Sequence, residues 1–112
     1  MPDRKVVFGA GLGSWNGVDV GNAAESARLA GQADRAGLDL FTLADHPYFS
    51  EKLDAYAMLS FLLGRTEHIS GAVTVTNLPC RPAPVLARTI TSLSALSRGR
   101  VVLGIGAGGC GT

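Results

Sequence analysis

The sequence predicts an α/β fold in which parallel strands alternate with helices. Four short apolar runs are separated by three segments with helical spacing, and the strand–helix unit recurs about every 30–35 residues. Because this alternation is typical of right-handed βαβ units, the strands should form a parallel sheet. The apolar runs are nearly continuous, which indicates strands covered on both faces. A doubly wound open sheet and half of a (β/α)8 barrel both satisfy these observations.

The predicted strands are apolar or β-branched segments that end at glycine, proline or polar residues. The first contains Val6, Val7 and Phe8 and runs into a glycine-rich loop. The third (HISGAVTVT) is rich in β-branched residues, which favour strands. The strands are predicted at residues 5–9, 39–44, 68–76 and 100–105.

The predicted helices are marked by capping residues. Asn22 with Glu25 three residues later matches a capping box, and Gly37 follows the last alanine of the periodic segment. Asp54 can cap the second helix, and Pro84 suits the first turn of the third. The helices are predicted at residues 22–36, 54–64 and 84–97.

The composition excludes several classes of protein. The 112 residues are 46% hydrophobic and 17% charged, which argues against intrinsic disorder. The net charge is +1 with the basic residues scattered, so we expect neither nucleic acid nor a membrane surface as a partner. No apolar run approaches the roughly 18–20 residues of a membrane span and no signal-peptide core is present, so a cytoplasmic location is expected. Cys80 and Cys110 match neither a disulfide framework nor a metal site.

Asp45 and His46 follow the second predicted strand directly. In parallel α/β folds, ligands bind at the carboxyl ends of the strands. A histidine there can act as an acid or a base, and the adjacent carboxylate can orient a ligand or a loop. The alternative is that Asp45 caps a turn before Pro47 and that His46 is an ordinary loop residue.

Polar residues and glycines also follow the third and fourth strands. Thr76 and Asn77 end the third strand, and the glycine-rich segment 104–109 ends the fourth. Glycines let a ring or a phosphate approach the backbone closely and leave amides available to an anion. On composition alone, a flexible tail is an equally good interpretation of the last segment.

A Rossmann-type dinucleotide-binding turn is a weaker interpretation of the first glycine loop. Gly9, Gly11 and Gly13 follow the first strand, but roughly eight residues separate them from the helix that begins near Asn22. In a Rossmann turn the last glycine opens the helix, so the required context is missing.

Three linked stretches resemble one known family. They read LAGQADRAGLDLFTLADHPYF, LLGRTEHISGAVTVTNLP and RPAPVLARTITSLSALSRGRVVLGIGAG. Together they resemble the N-terminal part of luciferase-like monooxygenases, the family of bacterial luciferase, alkanesulfonate monooxygenase and the oxidoreductases that use coenzyme F-420. The resemblance covers about residues 5–109 and implies the N-terminal half of a (β/α)8 barrel, with a flavin or deazaflavin across the carboxyl mouth.

The resemblance also implies roles for single residues. Asp45 and His46 match a pair that contacts the cofactor ring, and His46 matches a proposed catalytic residue of deazaflavin-dependent members. The segment 71–74 matches one that carries a non-prolyl cis peptide behind the ring, and the Val73–Thr74 bond is the candidate. The remaining positions implied to line the cofactor are Thr76, Asn77, Gly106, Ala107 and Gly108.

The implied function is that of a luciferase-like oxidoreductase or monooxygenase acting on a small organic substrate. FMN or coenzyme F-420 would serve in hydride transfer or oxygen activation. Gly109 stands where the deazaflavin-dependent sugar-phosphate dehydrogenases place an acid, so their acid–base chemistry is not expected.

The length predicts that residues 1–112 are a single partial domain and the chain a fragment, because a whole barrel needs about 250 residues. We expect such a half to self-associate or to bind cofactor weakly, since two strand edges are left open. A catalytically inactive, truncated flavin-binding homologue that forms a homo-oligomer is the alternative.

Overall fold

Four strands and three helices alternate along the chain in the computed structural model, which describes residues 5–14 and 17–107. This confirms the predicted order of elements. The elements are β1 (Gly9–Gly11), α1 (Ala23–Ala36), β2 (Leu40–Leu43), α2 (Ala55–Gly64), β3 (Ser70–Asn77), a 3-10 turn (Leu78–Cys80), α3 (Ala83–Ser97) and β4 (Val101–Gly106).

The strands form one parallel sheet in the order β1-β2-β3-β4. One face packs against the helices, where the most deeply buried apolar side chains lie: Phe41, Leu43, Leu59, Leu62, Ile69 and Val73. Gly71 is required in this layer, because a Cβ there would lie 2.5 Å from Cζ of Phe41 and 2.6 Å from Cδ1 of Leu59. The other face is open, and at its amino end Leu40, Ser70 and Val102 line a hollow of about 680 Å³.

The first predicted strand is wrong by several residues. Pairing with β2 begins at Gly9 opposite Leu40, whereas Val6 and Val7 of the predicted strand 5–9 are largely exposed. Asp39 explains the late start, since its side chain accepts a hydrogen bond from the Phe8 amide at 3.1 Å. An apolar run therefore does not by itself locate a strand; the partner strand does.

The predicted capping box of α1 is also wrong. The helix does begin after Asn22, but the Asn22 side chain caps no amide of the helix. Its Oδ1 accepts from the Asp19 amide at 2.9 Å, and the Asp19 carboxylate accepts from the Asn22 amide at 2.9 Å. Glu25 pairs with Arg28 instead of reaching back to the cap. The Asp54 cap of α2, in contrast, is confirmed, because its Oδ2 accepts from the Ala57 amide at 2.8 Å.

Asp34 ties α1 to the amino end of β3. Its buried carboxylate accepts hydrogen bonds from three consecutive backbone amides, at 2.9, 2.8 and 2.8 Å: Glu67, His68 and Ile69. Burial raises the pKa of this carboxyl, but the three amide bonds outweigh burial and leave the pKa below its ordinary value.

Asp34→Asn is expected to lower the free energy of unfolding at neutral pH by about 2 kcal/mol, because an amide can accept only at one atom. Since the folded pKa of Asp34 is depressed, its contribution is present above the unfolded pKa of about 3.9 and is lost as the pH falls through the lower folded pKa. Urea unfolding of both proteins at several pH values measures this. A difference that stays constant through the acid range would contradict the prediction.

Arg100, which directly precedes β4, lies at the same end of the sheet as Asp34. Its guanidinium donates five hydrogen bonds of 2.9–3.1 Å. One goes to the Thr66 hydroxyl and four go to the backbone carbonyls of Leu63, Thr66, Ile69 and Ser97. The carbonyls of Leu63 and Ser97 lie in the last turns of α2 and α3, and those of Thr66 and Ile69 lie between α2 and β3, so one side chain joins two helix ends to the start of β3.

Arg100→Met is expected to lower the free energy of unfolding by about 3 kcal/mol, because the carbonyls lose their donors while remaining partly buried. Arg100→Lys should recover part of this loss, since an ammonium has only three donors. Urea denaturation measures both. The exposed Arg88 on α3 is the matched control, and Arg88→Met should change the free energy by less than about 0.5 kcal/mol. Equal losses in the two methionine variants would contradict the role of Arg100.

Candidate active site

The carboxyl ends of the strands border a hollow on the open face of the sheet. Its volume is about 260 Å³, and glycine, hydroxyl and small apolar residues surround it: Gly11, Leu12, Gly13, Ser14, Thr42, Ala44 and Thr74. Three successive strands therefore contribute to one cavity at the end of the sheet where parallel α/β proteins bind ligands. The sequence analysis places the predicted site residues at the ends of the second, third and fourth strands, whereas this hollow is lined from β1, β2 and β3.

A β-bulge in β3 forms one wall of this edge. Val73 pairs with Leu103, but the next pair is Thr76 with Ile105, so β3 holds one more residue than β4 over this stretch. The extra residue places Thr74 and Val75 in succession on exposed positions, and Val75 is 50% exposed. An apolar side chain thus stands at the mouth of the sheet.

The non-prolyl cis peptide bond in this segment joins Thr74 and Val75. The predicted bond, Val73–Thr74, is wrong by one residue. Val73 is fully buried and pairs regularly with both Leu43 and Leu103, so the irregular backbone begins only after it.

Two glycines of β4 allow the bulge. A Cβ on Gly104 would lie 2.6 Å from the carbonyl oxygen of Val73, and one on Gly106 would overlap Cγ2 of Val75. Gly106 therefore lies beside Val75, and Ala107 is exposed at the end of β4. Gly108, which was predicted to line the cofactor, lies outside the described residues.

Val73 and Thr76 do not face the mouth. Both side chains are fully buried on the helix side of the sheet, where the Thr76 hydroxyl lies 2.5 Å from the Tyr56 hydroxyl of α2. Because side chains alternate along a strand and the bulge adds one residue, the two residues share the helix face despite their odd spacing. We therefore leave both out of the set of cofactor contacts.

Asp45 is held by the protein and not directed at a ligand. Its Oδ2 accepts from the Asn77 amide and from Nε of Arg81, and its Oδ1 accepts from Nη2 of Arg81, each at 2.8 Å. Its side chain is only 1% exposed. The geometry gives Asp45 the role of joining the ends of β2 and β3.

Arg81, which the sequence interpretation missed, is the centre of this arrangement. Besides Asp45 it donates to Oδ1 of Asp54 at 2.9 Å, and its guanidinium lies 4.7 Å from the centroid of the Tyr56 ring. We refer to the connected residues Asp45, Asp54, Tyr56, Thr76, Asn77 and Arg81 as the Arg81 network.

The charges in the Arg81 network stabilise one another. The hydrogen bonds to Asp45 raise the pKa of the Arg81 guanidinium above its ordinary value. Burial acts in the opposite direction, and the hydrogen bond to Asp54 adds to the rise. Burial raises the pKa of the Asp54 carboxyl, but the Ala57 amide and Arg81 outweigh burial and lower it below its ordinary value. Burial also raises the pKa of the Tyr56 phenol, so this residue stays protonated at neutral pH.

His46 lies on the loop after β2, next to Asp45 in the chain. Its Nδ1 is 2.7 Å from the Tyr48 hydroxyl, and its ring centroid is 5.5 Å from those of Tyr48 and Phe49. These aromatic contacts fix the orientation of the half-buried imidazole. The structure thus places the predicted catalytic residue, held in one orientation, at the carboxyl end of the sheet.

The described residues contain neither a cluster of metal ligands nor a membrane-spanning helix. Over the ranges 5–14 and 17–107, no group of three or more potential metal-ligating side chains comes together. In those ranges no helix combines the length and apolarity needed to cross a lipid bilayer.

Solved structures share this fold over most of the chain. The oxygenating constituent of 3,6-diketocamphane monooxygenase from Pseudomonas putida, in complex with FMN, aligns with a TM-score of 0.79 at 24% identity over 94% of this chain and 30% of its own. A coenzyme F-420-dependent tetrahydromethanopterin reductase from Methanopyrus kandleri also aligns with a TM-score of 0.79 at 24% identity, over 95% of this chain and 28% of its own. A secondary alcohol dehydrogenase dependent on the same coenzyme aligns with a TM-score of 0.72 at 21% identity, over 92% of this chain and 32% of its own. These likenesses confirm the predicted half of a (β/α)8 barrel.

Sequence comparison agrees with the fold. A 5,10-methylenetetrahydromethanopterin reductase from Methanolobus tindarius is 35% identical over 82 residues, which are 73% of this chain and 24% of that protein. The chain therefore spans about a quarter of this relative. The profile of the luciferase-like monooxygenases matches residues 5–111, and the chain belongs to that family.

Proposed function

We propose that this chain forms the cofactor-ring part of an oxidoreductase that uses FMN or coenzyme F-420 on a small organic substrate. The observation that carries the proposal is the exposed Thr74–Val75 bulge at the carboxyl edge of the sheet, next to Gly106. Structural neighbours of this chain include one protein solved with FMN and one solved with an adduct of coenzyme F-420 and acetone. Residues 1–112 would then be one partial domain of a cytoplasmic enzyme.

The residues at the mouth fit a planar ring with one apolar face. The half-exposed Val75 offers an apolar surface, and Gly106 beside it carries no side chain that would hold a ring away from the backbone. Thr42 and Thr74 bring two hydroxyls to the adjacent hollow, where they can bond to the polar edge of a ring or to a substrate. Ala107 is proposed as a further contact on the β4 side.

The role proposed for each residue follows from its position. When bound, the cofactor supplies or accepts the hydride, or activates oxygen. Val75 supports the ring and excludes water from one face, while Thr42 and Thr74 orient the polar groups. His46 accepts or donates the proton that must accompany hydride transfer at an oxygen-bearing carbon, since an imidazole serves as either acid or base.

A titration of the 112-residue chain tests the proposal. We expect saturable binding of FMN or coenzyme F-420, followed by cofactor fluorescence, in the upper micromolar range, because half of a barrel encloses only part of a ring. NAD should bind at least about tenfold more weakly, since the Rossmann context is missing. No saturable binding of either ring, or equal binding of NAD, would overturn the proposal. Size-exclusion chromatography of the same samples measures self-association.

A further inference from the structure

We propose that Arg81 is a positioning residue for cofactor binding: by joining Asp45, just after β2, to the turn after β3, it sets the positions of His46 and the Val75 bulge. This inference rests on the proposed function and adds a residue to it. Arg81 itself lies on the helix side of the sheet, over the Tyr56 ring, and acts through its neighbours.

Arg81 connects three separate elements. It follows the 3-10 turn after β3, binds Asp45 at the end of β2 through two hydrogen bonds of 2.8 Å, and binds the N-cap Asp54 of α2 at 2.9 Å. The paired N–H groups of a guanidinium match a carboxylate in a fixed geometry, which an ammonium cannot reproduce. The relative positions of two strand ends and one helix start are thus set by one side chain.

Burial makes this contact a strong constraint. The side chains of Arg81 and Asp45 are 17% and 1% exposed. Removal of Arg81 leaves the buried Asp45 carboxylate without its cation, so we expect Asp45 to move toward water. The Asn77 amide would lose its 2.8 Å acceptor at the same time.

Two of the residues proposed to act at the cofactor, His46 and Val75, lie within two residues of these contacts. His46 follows Asp45 directly, and Val75 is followed by Thr76 and Asn77, which the Arg81 network holds through Tyr56 and Asp45. Consecutive Cα atoms are only about 3.8 Å apart, so a displacement of Asp45 or Asn77 is transmitted to His46 and Val75. The ring site should therefore respond to Arg81 beyond any general loss of stability.

Arg100 provides the matched control. Like Arg81, it donates hydrogen bonds to several elements. It lies at the amino end of the strands, however, whereas the bulge lies at their carboxyl end. Its loss should reduce stability without moving the mouth. Arg81→Met and Arg100→Met thus separate positioning from folding.

The experiment measures the dissociation constant of FMN and of coenzyme F-420, with urea stability, for the full chain and three variants under conditions where all are folded. Arg81→Met should raise the dissociation constant about tenfold, Arg81→Lys about threefold, and Arg100→Met less than twofold although it is destabilised. Equal increases for Arg81→Met and Arg100→Met would reduce Arg81 to a structural residue and overturn the inference.

Amide hydrogen exchange separates this inference from the proposed function. If the wild-type protein binds neither cofactor, the proposed function fails. The exchange rate of the Asn77 amide then tests separately whether Arg81 positions the strand ends. Its exchange should accelerate in Arg81→Met by more than the global loss of stability explains, and not in Arg100→Met. Acceleration no greater than the global change would overturn the positioning role.

Discussion

His46→Ala is expected to lower the rate of cofactor reduction about 100-fold at saturating cofactor, because general acid–base catalysis contributes at least that much. The dissociation constant of the cofactor should change by less than about threefold, since Val75 and Gly106, and not the imidazole, are proposed to support the ring. The measurement is the absorbance change of coenzyme F-420 with a small organic hydride donor that the wild-type chain is found to turn over.

The second histidine of the chain supplies the control. His68 is exposed at the amino end of β3, on the opposite edge from the mouth, so His68→Ala should leave the rate unchanged. An unchanged rate in His46→Ala would remove His46 from the mechanism. Parallel losses in both variants would indicate a general effect on the fold.

Local rules located both of the first two helices, but they identified the capping interaction correctly only for the second. Asp54 caps α2 as its position predicts, since its Oδ2 accepts from the Ala57 amide. Asn22 is also a residue type that favours the N-cap position, but Asp19 lies three residues earlier and the two residues exchange two hydrogen bonds. A capping rule that considers only residues inside the helix does not include such a competitor.

The site was harder to predict because its geometry depends on residues far apart in the sequence. The bulge that exposes Val75 and turns Thr76 toward the helices is permitted by Gly104 and Gly106, about 30 residues later. A pattern of period two, continued through the strand, assigns Thr76 to the wrong face. The two glycines of β4, which alternate with apolar residues, were the available signal that the neighbouring strand comes unusually close.

Arg81 could have been found from the burial of Asp45. A carboxylate that is buried at the end of a strand needs a cation or several amides. The segment after the third strand holds one basic residue, between Cys80 and Pro82, and the parallel sheet brings that segment next to β2. A motif match alone assigned Asp45 to the cofactor contacts. A search for opposite charges at neighbouring strand ends would instead have paired it with Arg81 and indicated a positioning role.

The exposed bulge gives the sharpest test of where the ring lies. Val75→Asp is expected to raise the dissociation constant of FMN and of coenzyme F-420 about 30-fold, which corresponds to about 2 kcal/mol, because a carboxylate would be desolvated against an apolar ring face. Fluorescence titration of the full chain measures the change. Stability should hardly change, since Val75 is half-exposed and the aspartate can remain hydrated in the free protein.

Val102 offers the same side chain on the same open face with 49% exposure against 50% for Val75, but at the amino end of the sheet. Val102→Asp should therefore leave both dissociation constants within about twofold of wild type, because it lies outside the proposed ring site. Equal weakening by the two aspartates would mean that charge anywhere on this face disfavours binding. A change confined to Val102→Asp would place the ring at the larger amino-end hollow, which no other feature of the strand ends supports.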